Sequence, residues 1–145
     1  MARKLRLKVS QHPAIIIGRT AIRAEKLVYV ACANKSIRYK YGSSKILYFG
    51  TTRAGARRIA SSAASKAEKF LEDYGVKELK FYVVTSNAIP GLKSWRLVER
   101  ALIIRFREIH GEPPKGNIVG KYMKWNDETK YITYHKLNDV IQSFK

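Results

Sequence analysis

Three short apolar runs rich in β-forming residues constrain the fold of this chain more than any other feature. They are Lys26–Cys32 (KLVYVAC), Ile46–Phe49 (ILYF) and Lys80–Val84 (KFYVV). What separates them sets the architecture. The first two are split by the polar, basic stretch 33–45, where Ser36–Tyr41 can add a strand before a turn at Gly42, Ser43 and Ser44. After the second run the pattern turns helical: Ile59, Ala63, Ala67, Phe70, Leu71 and Tyr74 recur at helical spacing, with Thr51 or Thr52 as cap and Gly75 as stop. A second helix is predicted over 93–110, ended by Gly111 and the Pro113-Pro114 pair. Residues 122–125 and 130–134 flank Asn126–Thr129 and read as a β-hairpin, and Leu137, Val140, Ile141 and Phe144 predict a short closing helix. The order is an α+β layout: a small three-stranded mixed or antiparallel sheet flanked by helices.

At 145 residues the chain suits one domain with a modest core. We read a basic N-terminal extension (1–25) packed on the domain, a central domain (26–118) and a C-terminal hairpin-helix extension (119–145). There are 29 Lys and Arg against 11 Asp and Glu, and residues 1–66 hold 15 of the basic residues with Glu25 as their single acid. Such a surface expects a polyanion, nucleic acid before an anionic membrane. No apolar run is long enough to span a bilayer, and the run Ala14–Ile17 is too short for a secretory signal. The single cysteine, Cys32, excludes an internal disulfide or a paired-cysteine zinc site and fits a buried core position in a reducing, cytoplasmic setting. His12, His110 and His135 are scattered, and no phosphate loop or serine triad is present.

One residue breaks the pattern. Along the second helix Trp95, Leu102, Ile103 and Phe106 lie within about 60° of Glu99, so a carboxylate sits in the stripe that faces the core. An unpaired buried carboxylate is costly. A salt bridge to a neighbouring arginine would satisfy it, and so would a role as metal ligand or acid/base group in a cleft. Periodicity does not choose between them. The first helix opens with Arg53, Arg57 and Arg58, then small residues that let a phosphate backbone come close. Lys35, Arg38, Lys40 and Lys45 in the basic insertion are further candidate nucleic-acid contacts.

These residues resemble a known family. Val28-Tyr29-Val30 and Tyr48-Phe49-Gly50 look like the paired motifs of the GIY-YIG nuclease superfamily. Arg58 falls where that family keeps an arginine, Glu99 where it keeps a metal-binding glutamate, and Asn117 where it keeps an asparagine after a proline-containing turn. The resemblance covers roughly residues 26 to 118. The first motif lacks its glycine, Thr51 stands where several members carry lysine, and Ser62 where some carry histidine. Tyr29 and Tyr48 are 19 residues apart, which leaves Tyr39 or Tyr41 as alternative first tyrosines.

The resemblance implies metal-dependent hydrolysis of DNA phosphodiesters. Glu99 would hold one Mg²⁺ or Mn²⁺, Arg58 would neutralise charge on the phosphoryl oxygens, and Tyr29 or Tyr48 would position or deprotonate water. Asn117 would orient phosphate or brace the site. Oligomeric state stays open, since double-strand cutting needs a dimer or two sequential visits. The competing expectation is a non-catalytic basic protein that binds DNA or RNA, and Glu99 discriminates, because a carboxylate beside phosphate repels it.

Overall fold

A computed structural model describes residues 4–13 and 25–145. Strand β1 (Leu27–Arg38) is the middle of a three-stranded sheet, between β2 (Ser43–Thr52) and β3 (Leu79–Val84). Both pairings are antiparallel. Helix α1 (Ala56–Asp73) connects β2 to β3, and α2 (Ser94–His110) follows β3. A 3₁₀ segment (Ile118–Tyr122), the short α3 (Glu128–Tyr131) and α4 (Tyr134–Gln142) complete the chain.

The continuous apolar run Leu27–Ala33 is buried throughout, as a central strand covered on both faces requires. Strand β2 shows which helix covers which face. Phe49 packs edge-on against Phe106 of α2, with ring centroids 6.3 Å apart, whereas Tyr48 meets Phe70 of α1, also at 6.3 Å. The two helices therefore cover opposite faces of the sheet.

The C-terminal hairpin expected over 122–134 is replaced by the 3₁₀ segment and α3. The physical reason is Glu128, buried at 2% exposure. Its carboxylate accepts from the Asn126 backbone N–H at 2.6 Å and from Arg100 Nε at 2.7 Å. A buried acid in the first turn, tied to the backbone just before it, starts a helix where a β-turn was predicted. Residues 119–145 are also no appendage, because Leu137 and Ile141 belong to the main core and the Lys45 N–H donates to Phe144 O at 3.0 Å.

Other boundaries shift as well. Ser36–Arg38 join β1, Ser44 is a buried β2 residue rather than a turn, and Thr51 and Thr52 finish β2 instead of capping α1. Gly55, at φ 73°, turns the chain into α1 in their place, a conformation that glycine adopts freely. In the N-terminal extension, residues 4–13 are exposed rather than packed, and 14–24 lie outside the described residues. Among the described residues no helix is long and apolar enough to cross a membrane.

Candidate active site

The sheet register brings the two motif tyrosines together. Tyr29 pairs with Gly50 and Ala31 with Tyr48, so Tyr29 and Tyr48 are diagonal neighbours on the α1 face. Their ring centroids lie 5.9 Å apart. The long β1–β2 hairpin accounts for their separation in sequence. Gly50 is what lets them converge: a Cβ there would fall 2.3 Å from Tyr29 Cζ and 2.7 Å from Tyr48 Cε1. Tyr39 and Tyr41 are elsewhere. Tyr39 is buried, donating to Ile46 O at 2.6 Å, and Tyr41 is exposed.

Beside the pair lies an open cleft of about 270 Å³ at the edge of β2. Tyr48, Lys66 of α1, Glu99 of α2 and Asn117 are among the residues that line it. Among the described residues Glu99 is its only carboxylate, and among them it makes no salt bridge. The neighbouring Arg100 is spent on Glu128. Burial pushes the Glu99 carboxyl above the usual range, against the pull of Thr51, Lys66, Arg96 and Arg100. Among the described residues, the arginine salt bridge that the sequence left open is not formed.

Lys66 was not anticipated, and its ammonium lies 3.4 Å from the centroid of the Tyr48 ring. Burial lowers its affinity for a proton, opposed by Tyr29 and Glu99. A sequence signal existed. Arg58, Ser62 and Lys66 recur every four residues on α1, which makes one helix stripe. The middle member, Ser62, is hydrogen-bonded to Tyr29. Both tyrosines are pushed up from their ordinary value, Tyr29 by burial and Tyr48 by burial and then by Glu99. Without a further cation both remain protonated near neutrality.

Asn117 is buried at 6% exposure and acts as a clamp. Its Oδ1 accepts from the Phe49 N–H and its Nδ2 donates to Phe49 O, both at 2.9 Å. The preceding Gly116 N–H donates to Leu47 O at 2.8 Å. Asn117 thus fixes the strand between Tyr48 and Gly50. The Asn117→Ala variant leaves two buried backbone groups unpaired, and we expect it to lose about 3 kcal/mol in urea unfolding. A loss below about 0.5 kcal/mol would show that the clamp contributes nothing to the fold.

The remaining candidates lie outside the cleft. Arg58 is exposed on α1 and is not among the residues lining it; Arg53 is also exposed, and the Arg57 side chain lies outside the described residues. Lys35, Arg38, Lys40 and Lys45 are exposed on the β1–β2 hairpin. Arg38 pairs with Ser43, five residues from Tyr48, so the hairpin tip is roughly 17 Å from the tyrosine pair along the strand.

Among the described residues no three His, Cys, Asp or Glu side chains converge as a ready-made metal cage. A single oxygen donor in an open cleft fits a hard divalent cation that takes its remaining ligands from water and substrate phosphate. Comparison with known proteins returned no matching family, no similar curated protein and no similar solved structure.

Proposed function

We propose that the chain is a metal-dependent endonuclease of the GIY-YIG type that hydrolyses DNA phosphodiester bonds. The observation that carries this reading is Glu99, a carboxylate without a salt bridge among the described residues, held in an open cleft next to the adjoining Tyr29 and Tyr48 rings and Lys66. A protein that only neutralised phosphate would gain nothing from that carboxylate, which disfavours anion binding in a chain otherwise strongly cationic.

Glu99 would hold the divalent cation, which when bound supplies charge neutralisation at the scissile phosphate. The protein's own groups do the rest. Thr51 lies beside the Glu99 carboxylate and favours its charged form. The protonated Tyr29 and Tyr48 hydroxyls present a fixed pair of hydrogen-bonding groups for positioning the attacking water. Lys66 brings a cation to the Tyr48 side of the cleft, where charge grows on the phosphoryl oxygens. Arg58, two helical turns before Lys66, extends that cationic stripe outward, and Asn117 acts through β2 as a positioning residue. The exposed hairpin lysines and Arg38 would track the phosphate backbone away from the cut.

Supercoiled plasmid incubated with the protein tests the proposal. Nicking or linearisation in Mg²⁺ or Mn²⁺, lost on adding EDTA, is the expected result. Intact plasmid, branched and single-stranded DNA under all of these conditions would overturn it. Lys66→Met should lower kcat about a hundredfold while DNA affinity changes little. An equal loss in affinity would make Lys66 a phosphate anchor.

A further inference from the structure

The 3₁₀ segment forms one wall of the cleft and has an unusual surface. Ile118 is 63% exposed, Val119 74% and Tyr122 86%, and the first two line the cleft with Glu99 and Tyr48. Their exposure is built in. Gly120, between them, is buried so tightly that a Cβ would come within 2.6 Å of Ile103 Cγ2 and 2.9 Å of Pro113 Cβ. Arg107 Nη1 donates to Gly120 O at 2.7 Å and to Lys121 O at 3.2 Å, fastening the segment to α2. The backbone is held inward at Gly120, which directs its apolar neighbours to solvent.

An apolar rim costs solubility, so contact with a partner is its natural use. Its position beside the candidate catalytic groups, within a cationic surface, selects the partner. A phosphate next to Glu99 and Lys66 places its own nucleotide against the rim, and the apolar part of a nucleotide is its base. In paired DNA the faces of the bases are covered by stacking. Aliphatic side chains wedge between base steps and aromatic ones stack on unpaired bases.

We infer that Ile118, Val119 and Tyr122 receive an unpaired base next to the scissile phosphate, making the preferred substrate DNA with an unstacked nucleotide at the cut. This rests on the nuclease reading and adds a specificity to it.

The test measures binding of the full chain in EDTA, where cleavage does not run. Two DNA probes of equal length carry 2-aminopurine, one fully paired and one with the fluorescent base unpaired. We expect at least about tenfold tighter binding to the unpaired probe, the size expected for one base stacked on an aromatic ring, together with a change in its fluorescence. In the Val119→Ser/Tyr122→Ser variant the preference should fall to near one. The single Ile118→Ser variant is a second arm should the double variant fail to fold. Equal affinity for the two probes, or a preference that survives these substitutions, would overturn the inference. Self-association of the wild type that both variants abolish would assign the rim to a second copy of the chain and overturn it too. The plasmid assay keeps the two readings apart. Cleavage in Mg²⁺ without a probe preference sinks this inference alone, and a rim-dependent preference without cleavage sinks the nuclease reading and leaves the rim only as a binding site for an unpaired base.

Discussion

Replacing Glu99 with Gln is expected to abolish cleavage in Mg²⁺, by about a thousandfold or more, and at the same time to raise the melting temperature of the metal-free protein. The two effects share one cause. Among the described residues the carboxylate is desolvated without a salt bridge, which would suit the proposed cation ligand but burdens the metal-free fold. Its pKa in the folded chain is raised, so ionisation is less favourable in the folded state than in the unfolded one. The burden is therefore absent below the ordinary carboxylate range. It builds as pH rises through that range and is complete above the raised folded value. The variant should melt a few degrees higher than the wild type near neutral pH, with the gap closing towards about pH 4. Melting curves across that pH range check the sign. Retained cleavage in this variant would remove Glu99 from the site, whereas cleavage lost together with stability at neutral pH would make it a structural residue.

The second large effect is expected from Gly50→Ala. One added methyl would meet the Tyr29 ring at 2.3 Å and its hydroxyl at 2.5 Å. Tyr29 cannot yield easily. It stands on the central strand, 3% exposed, between Tyr48 and Phe81, whose centroid is 6.2 Å away. We expect a loss of about 3 kcal/mol in denaturant unfolding, at the upper end for overpacking, and cleavage as low as in the Glu99 variant. The double variant Gly50→Ala/Tyr29→Leu separates the two consequences. It should recover much of the stability relative to an additive expectation, since the clash is removed, but none of the activity. Loss of stability in the double variant equal to the sum of the single ones would mean that the methyl clashes with something other than Tyr29.

Much of this arrangement could be read from the chain, and particular residues show where reading stopped. The apolar run Lys26–Cys32 signalled a strand, whereas its place at the centre of the sheet depends on pairing with strands on both sides, which local pattern does not register. Glu99 stood out because a carboxylate in an apolar helix stripe conflicts with local rules, and such conflicts collect at functional sites. Lys66 did not stand out. A lysine after a run of small residues is ordinary on a helix surface, and its meaning comes from a tyrosine on another element. The hairpin expected after Tyr122 failed for a similar reason, because Glu128 is satisfied by Arg100, 28 residues away, which local pattern does not register. Asn117 was recognised by its place after the turn, but its two bonds to Phe49 depend on the register of a strand 68 residues earlier.

That pair of bonds has a wider meaning for the molecule. The outer side of β2 is a sheet edge, with backbone groups that invite another strand to add on. A fourth strand would silence the edge, but its side chains would project on both faces and fill the space that Glu99 and Lys66 border. A primary amide carries the same donor and acceptor as a peptide group in a few atoms. By spending the Asn117 amide, the Gly116 N–H and the Phe144 carbonyl where another protein would spend a strand, the chain protects that edge from edge-to-edge aggregation and keeps the cleft open.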